Sequence, residues 1–331
     1  YLQFSSATTI STSATQLGDF TLNWVYGIAL SSDNSTLYVV QRMNAGISLT
    51  YPRELHRLNL ASDGITLLSS EKIYEFPSTY YVNLMTLSYD SRLYVTTETR
   101  GLIYIDLAES SLAVTTTNSA NYNDTRGIAI NDNNQTAHTL YVASEEDGNY
   151  ALVQVSDLAP LSATWTPTSS PTPAPSAGVN SVVWNDDTYQ WPRMVQYVVQ
   201  YGTANLWVAS GTARVIYAVP LDGSYPYQVL SIADTGAIPT TDKQELYTFF
   251  VLMEDPSPRI FAAFNSSIVT GVPPGSSNKV CTSTVLGWPQ GLAVTADASK
   301  LYVAERSSDL LRVITLSNYA ENGTAVLMEN M

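Results

Sequence analysis

Short apolar runs alternate with polar turns along most of the chain. The pattern is clearest near the end of the sequence, where the runs Gly291–Val294, Leu301–Ala304 and Leu311–Leu316 are separated by polar segments. Runs of this length that are rich in β-formers predict three strands of an antiparallel meander. Because one meander leaves apolar faces uncovered, the pattern also predicts further copies that pack against it.

Five earlier stretches repeat this pattern, and the second run of each copy has an aromatic residue at its centre. These aromatic residues are Tyr38, Tyr94, Tyr141, Trp207, Phe261 and Tyr302. The intervals leave room for a fourth, outer strand, such as Ile65–Phe76 or Tyr227–Ile232. The sequence therefore predicts an all-β fold, a six-bladed β-propeller of four-stranded antiparallel blades. The predicted inner strands are 27–31, 84–88, 127–131, 181–185, 249–253 and 291–295.

A closed ring of repeats predicts that residues 1–331 form a single domain. The Pro/Ser/Thr-rich segment 164–178 is interpreted as an inserted surface loop, and 185–201 as a lengthened hairpin. In ring folds a terminal strand often completes the last repeat. We therefore expect the N-terminal segment 1–22, or Ala325–Met328, or both, to pair with the repeat at 291–316.

Two phrases of the sequence carry a family resemblance. LYVAERSSDLLRV and GIAINDNNQTAHTLYV are similar to the repeats of the NHL, SMP-30 and strictosidine-synthase-like propellers. The resemblance extends from about Val25 to Leu316 and implies the propeller fold. It implies little about activity, because this architecture carries enzymes, receptors and scaffolds alike.

Composition narrows the classes of partner. Charged residues are 13% of the chain, the net charge is −14, and serine and threonine are abundant. Nucleic acids and anionic membranes need a basic patch, so neither is expected as a partner. No apolar run approaches the length of a membrane-spanning helix, and membrane insertion is not expected. We expect a protein partner or self-association, together with covalent glycans that supply the hydration a weakly charged surface lacks.

Acceptor motifs for glycans are present in predicted turns and loops, which favours an extracellular or cell-surface location. The N-glycosylation motifs are at Asn34, Asn123, Asn134, Asn265 and Asn322. The candidate O-glycosylation positions are Thr166, Thr168, Ser169, Ser170 and Thr172. Cys281 is the single cysteine. It is interpreted as a buried thiol, with an intermolecular disulfide as the alternative.

The start of the first strand and the end of the second lie side by side in an antiparallel hairpin. In a propeller both points open on the same mouth of the central channel, which is the default position for a ligand site. We expect a cluster of polar residues there: Asn83, Glu98, Arg126, Glu145, Asn180, Gln290 and Glu305.

The resemblance to SMP-30 lactonases implies a divalent cation, which Asn83, Asn180, Glu98 and Glu305 would bind through oxygen ligands. However, Gly27–Leu30 contains no carboxylate to match the ligand that this family has on its first inner strand. Arg126 would also repel a cation. No cofactor is therefore predicted, a channel cation remains the alternative, and structural hydrogen bonds are the favoured interpretation.

No catalytic residue is predicted. The two histidines, His56 and His138, are placed away from the mouth. Glu98 or Glu305 could serve a strictosidine-synthase-like reaction, but nothing distinguishes them from structural ion pairs. The favoured function is a non-enzymatic, glycosylated, extracellular scaffold, adhesion module or filament or matrix subunit. The alternatives are a lactonase-like hydrolase acting at the channel mouth, and a receptor module that binds carbohydrate or another ligand.

Overall fold

The structure is a computed structural model of the 331-residue chain. It is all-β: the described residues form six sheets and no helix. None of these residues belongs to a helix that could cross a bilayer. The described residues are 9–11, 14–16, 22, 24–42, 53–98, 101–107, 113–117, 124–131, 138–146, 149–158, 180–185, 191–200, 202–211, 213–231, 245–253, 258–264, 267–272, 276–282, 286, 288–316 and 327–329.

The strands follow one another through the sheets in chain order. Two short strands come first, β1 (Thr9–Ser11) and β2 (Ala14–Gln16). The first sheet contains β3 (Val25–Leu30), β4 (Thr36–Gln41), β5 (Arg53–Leu60) and β6 (Leu67–Phe76). The second contains β7 (Val82–Leu87), β8 (Arg92–Thr97), β9 (Gly101–Asp106) and β10 (Ala113–Thr117). The third contains β11 (Thr125–Asn131), β12 (His138–Glu146), β13 (Asn149–Leu158) and β14 (Asn180–Asn185).

The remaining sheets repeat this antiparallel order. The fourth contains β15 (Pro192–Gln200), β16 (Thr203–Ser210), β17 (Val215–Pro220) and β18 (Tyr227–Ser231). The fifth begins with β19 (Leu246–Leu252), β20 (Arg259–Phe264), β21 (Ser267–Val272) and β22 (Ser276–Thr282). The sixth contains β23 (Pro289–Val294), β24 (Lys300–Glu305) and β25 (Leu310–Thr315), and β26 (Leu327–Glu329) follows.

The first strands of consecutive sheets contact one another in a closed order. β3 contacts β7, β7 contacts β11, and the series continues through β15, β19 and β23 back to β3. Glycine makes some of these approaches close: a Cβ added to Gly127 would lie 2.6 Å from the Cα of Met194 on the next first strand. The six first strands thus surround a central channel, an arrangement that fits a propeller.

The core lies between neighbouring sheets. One cluster joins Leu37 and Leu58 of the first sheet to Tyr302 and Val313 of the sixth. The predicted second-strand aromatics lie at the centres of β4, β8, β12, β16, β20 and β24, and all except the half-buried Tyr38 are buried. The Tyr302 hydroxyl donates a hydrogen bond of 2.8 Å to the Gly64 carbonyl, which ties the sixth sheet to a turn of the first.

The chain termini join the last two sheets. β2 pairs antiparallel with β25 and supplies the fourth strand of the sixth sheet. β26 lies parallel to β22 in the fifth sheet, and β1 pairs with β26. The N-terminal segment therefore meets the repeat at 291–316, whereas the C-terminal strand extends the sheet before it.

The fourth predicted inner strand is wrong. Residues 181–185 belong to β14, which pairs with β13 as the outer strand of the third sheet. The first strand of the fourth sheet is β15, inside the segment 185–201 that the sequence suggested was an extended hairpin. The other five predicted inner strands overlap β3, β7, β11, β19 and β23.

Candidate functional site: the channel mouth

Each of the six first strands carries an extra residue near its start. In β3, Val25 pairs with Gln41 while Gly27 pairs with the adjacent Val40, and comparable shifts occur in β7, β11, β15, β19 and β23. Such β-bulges re-aim side chains and are common beside functional sites. The residues at these six positions surround a cavity of about 20 Å³, roughly the space of one water molecule. They are Tyr26, Asn83, Arg126, Arg193, Tyr247 and Gln290.

A second set of side chains is placed by a repeated backbone hydrogen bond. The amide after the second strand donates to the carbonyl of the residue just before the first strand. Arg42 donates to Trp24 at 2.8 Å, Glu98 to Tyr81 at 2.9 Å, and Arg306 to Trp288 at 3.1 Å. Glu145 makes the equivalent contact in the third sheet. This repeated bond places the side chains that follow the second strands at the same mouth.

One side of the mouth, which we call the ion-pair half, is built from the first three sheets. Glu98 accepts from two arginines, Arg126 at 2.5 Å and Arg42 at 2.7 Å. Arg126 also lies 3.0 Å from Asp124 and 3.7 Å from Glu145. Arg42 donates a further 2.7 Å bond to the side-chain oxygen of Asn83, whose amide nitrogen donates to the Thr125 carbonyl. The charged groups of this half are therefore ion-paired with one another, although Arg126 Nε and Asp124 Oδ1 make no hydrogen bond.

Burial changes the acidity of one carboxyl group in this half. Burial, with help from the charges of Glu98 and Glu145, raises the pKa of Asp124 to about 6 even though Arg126 is adjacent. Burial alone would lower the pKa of Arg126, but the three surrounding carboxylates raise it above the usual value. Arg126 is therefore a permanent cation at the centre of this half.

The raised pKa of Asp124 makes stability depend on pH. The ordinary value is 3.8, so between about pH 4 and pH 6 the folded chain holds a proton that the unfolded chain releases. This contribution to the free energy of unfolding therefore decreases as pH rises through that window. We expect Asp124→Asn to lose less stability than the unmodified protein between pH 4 and pH 6, as measured by urea unfolding.

The control is Asp222→Asn. Asp222 is exposed, and hydrogen bonds from Ser224 lower its pKa, so this substitution is not expected to reduce the loss. Parallel stability curves for Asp124→Asn and the unmodified protein would contradict the assignment.

The other side of the mouth, the donor half, is aromatic and cationic. The Arg306 guanidinium carbon lies 4.3 Å from the Trp24 ring centre, 5.4 Å from that of Trp288 and 5.6 Å from that of Tyr26. No carboxylate of the described residues lies within ion-pair distance of Arg306. The side-chain nitrogen of Gln290, a residue only 7% exposed, has no hydrogen-bond partner among those residues either.

Arg193 completes the donor half. Its guanidinium carbon lies 5.1 Å from the Trp191 ring centre, and it forms a 3.2 Å ion pair with Glu245. Trp191 and Trp288 are 37% and 44% exposed, so part of each indole faces solvent. This half therefore offers aromatic surface and hydrogen-bond donors to solvent.

The opposite end of the channel has a different chemistry. The downstream parts of the six first strands enclose a cavity of about 400 Å³, lined mainly by apolar residues such as Leu84, Ile128 and Leu292. Asn34 lies on its rim, in the turn between β3 and β4. The side chain of Gln196 is engaged by the backbone of β19, accepting from Val251 at 2.6 Å.

The structure brings five of the seven residues expected at the mouth together and places the other two elsewhere. Asn83, Arg126 and Gln290 line one cavity, and Glu98 and Glu145 contact Arg126. Two expectations need correction. Glu305 is fully buried and binds Arg312 and Ser308, because it is the last residue of β24 and its side chain turns into the sheet. Asn180 is on β14, so its backbone belongs to the outer strand of the third sheet.

Arg193, Tyr247 and Arg306 were missing from the predicted cluster. Arg306 is the mouth residue of the sixth sheet, at the position that Arg42 and Glu98 occupy in the first two. A sequence signal for Arg193 exists: the Trp191-Pro192 pair that precedes it recurs as Trp288-Pro289 before Gln290. Both pairs cross the start of a first strand.

The proposed metal ligands are not brought together. Glu98 is held by two arginines and Asn83 by Arg42, while Glu305 and Asn180 are elsewhere. Within the described residues, no three His, Cys, Asp or Glu side chains are grouped as metal ligands. The donor set therefore does not fit the lactonase-type cation.

Most of the predicted modification sites lie outside the described residues. Asn34 is half-buried in its turn, with φ of 60°. Two groups lie outside the described residues: the motifs at Asn123, Asn134, Asn265 and Asn322, and the hydroxyl positions Thr166, Thr168, Ser169, Ser170 and Thr172. Cys281 is on β22, but its side chain is not described. The interpretations of these residues stay predictions.

Comparison with known proteins gives the fold alone. No protein-family model matches the chain, so the NHL and SMP-30 resemblance stays a prediction. No curated protein matches it either. Among solved structures, the chain is similar to an auxiliary nutrient binding protein from Bacteroides thetaiotaomicron, with a TM-score of 0.62. That similarity covers 93% of this chain and 74% of that chain at 10% identity, which shows a shared fold and nothing about activity.

Proposed function

We propose that the chain is a six-bladed β-propeller that serves as a non-enzymatic, glycosylated scaffold or adhesion module outside the cell. The closed order of six first strands supports six blades around a channel. The second strands, with their buried aromatics, support equivalent blades. The similarity to a solved structure over 93% of the chain supports a single domain.

The observation that carries the proposal is the state of the charged groups at the channel mouth. Glu98, Asp124 and Glu145 share Arg126, and Arg42 holds Glu98 as well. A general base needs to reach the proton it abstracts, and a nucleophile needs such a base beside it. These carboxylates are instead engaged with arginines, so they act as structural ion pairs.

The remaining open surface of the mouth has the composition of a contact surface. Tryptophan, tyrosine and arginine are the residues most enriched at the energetic centres of protein interfaces. Trp24, Trp191, Trp288, Arg193 and Arg306 all lie at this mouth.

A glycan on Asn34 and a partner at the aromatic mouth would occupy opposite ends of the channel. Its turn lies at the end of β3, whereas Trp24 lies at the start of the same strand. A glycan at Asn34 would therefore cover the apolar end of the channel and leave the aromatic mouth open. Glycan hydration would offset the low charge density of the surface.

Analysis of the native protein tests this function. Glycopeptide mass spectrometry is expected to find a modified Asn34, and light scattering is expected to find a particle larger than one glycosylated chain. An unmodified Asn34 in a strictly monomeric protein would contradict a glycosylated scaffold.

A second candidate function is binding of an apolar small molecule in the channel. The 400 Å³ cavity is within the volume range of small-molecule sites, and the similar solved structure is called a nutrient binding protein. N-phenyl-1-naphthylamine, an uncharged fluorescent probe, is expected to bind to the unmodified protein. It is not expected to bind to Leu87→Arg, which places a charge in the cavity lining. Equal binding by both proteins would place the probe elsewhere.

A further inference from the structure

The two halves of the mouth differ in their balance of donors and acceptors. In the ion-pair half, three carboxylates face Arg126 and Arg42 at ion-pair distances. In the donor half, Arg193 has Glu245, whereas Arg306 has no carboxylate among the described residues. The chain has 15 basic and 29 acidic residues, so acidic partners are plentiful. Within the described part of the chain, the Arg306 guanidinium therefore has aromatic contacts but no ion pair.

Gln290 and Arg306 share Tyr26 as a neighbour. Tyr26 lines the small cavity with Gln290 and also contacts Arg306. The Gln290 amide nitrogen and the Arg306 and Arg193 Nε atoms are buried without hydrogen-bond partners in the described part of the chain. A buried donor without a partner costs about 1–3 kcal/mol, so an acceptor that satisfies two of them gains affinity. The cavity holds an oxygen atom but not a larger group.

The backbone beside these donors is strained. Trp24, Trp191 and Trp288 precede their first strands with φ of 49°, 63° and 52°. A bulky residue in the left-handed region is an outlier that costs of order 1–3 kcal/mol and tends to occur at functional sites. Each of these three indoles flanks Arg306 or Arg193, whereas Asp124 has the equivalent position and a φ of 46° in the ion-pair half.

We propose that the donor half of the mouth is a carboxylate-binding site, with Arg306 as the anchor and Gln290 as a second donor. A guanidinium binds a carboxylate through two parallel hydrogen bonds, and the indoles of Trp24 and Trp288 hold its plane. One carboxylate oxygen would fill the small cavity, and the body of the ligand would lie over the exposed edges of Trp288 and Trp191.

The site deepens the proposed scaffold function and rests on it, because it names the chemistry of the partner. The carboxylate has two sources, an acidic side chain of a protein partner or a free organic acid. The probes are a hexaglutamate peptide and acetate. Each is titrated into the purified chain at low salt, and binding is followed by tryptophan fluorescence and calorimetry.

The variants separate the site from general electrostatics. Arg306→Met keeps the side-chain length, loses the charge, and is expected to weaken probe binding about tenfold or more. Gln290→Leu is expected to weaken it severalfold. Arg306→Lys is expected to recover part of the loss, because a lysine keeps the charge but not the two-pronged geometry. The control is Arg57→Met, whose exposed pair with Glu71 lies on outer strands of the first sheet.

The outcomes are distinct. Tighter binding of hexaglutamate than of acetate, lost in Arg306→Met, supports the site with a protein partner, and equal affinity per carboxylate supports a free acid. Binding of neither probe, or binding that Arg306→Met retains, overturns the site. Thermal melting of each variant shows whether it is folded. A failed titration leaves the glycan and assembly measurements unaffected, so the two proposals fail separately.

Discussion

Replacing Arg126 with methionine is expected to lower the free energy of unfolding by about 2 kcal/mol at neutral pH, between the values for exposed and for buried ion pairs, because these side chains are partly exposed. The reason is that Glu98, Asp124 and Glu145 would then face one another with only Arg42 nearby. The loss is expected to shrink near pH 5, because Asp124, whose pKa is raised to about 6, takes up a proton as pH falls. Urea unfolding at both pH values measures it.

Arg57→Met is the matched control for Arg126. The Arg57–Glu71 pair is also short, at 2.6 Å, but its side chains are 40% and 57% exposed. Exposed pairs contribute about 0–1 kcal/mol, so this variant is expected to stay close to the unmodified protein. Equal losses in the two variants would show that the ion-pair half contributes no more than a surface pair.

Removing residues 1–16 is expected to cost roughly 3 kcal/mol of stability and to promote association, because β2 supplies the outer strand of the sixth sheet. Without it, the hydrogen-bonding groups on one edge of β25 have no strand beside them. Thermal melting and light scattering of the truncated chain measure both effects.

A synthetic peptide of residues 9–20 supplied in trans is expected to restore part of the stability, because it can add back the missing strand. A peptide of the same composition in scrambled order is the control. Full stability of the truncated chain would show that β2 does not help to close the ring.

The sequence predicted much of the fold because strand, turn and aromatic strand recur with little change. The six aromatics from Tyr38 to Tyr302 identify the second strands. The prediction of the fourth inner strand was wrong for a physical reason. The apolar run at 181–185 has the composition of an inner strand, whereas β15 contains Arg193, Gln196 and Gln200 and begins with a proline. Burial by neighbouring sheets, which depends on the tertiary fold, decides between them.

For the candidate site, the sequence could predict only which strand ends meet. This was enough to predict the grouping of Asn83, Arg126 and Gln290, which line one cavity. It could not choose between Glu305 and Arg306, because side chains alternate faces at successive residues. The backbone hydrogen bond to Trp288 resolves the choice in favour of Arg306. The contact of Arg306 with Trp24 joins the sixth sheet to the first and has no local signal in the sequence.

Hydrogen–deuterium exchange of the native assembly, compared with the isolated chain, tests the central claim that the aromatic mouth is a binding face. We expect slower exchange in the assembly around 24–26, 191–193, 288–290 and Arg306, with no change in the turn that holds Asn34. Protection confined to that turn and the apolar end of the channel, with the mouth unchanged, would contradict it.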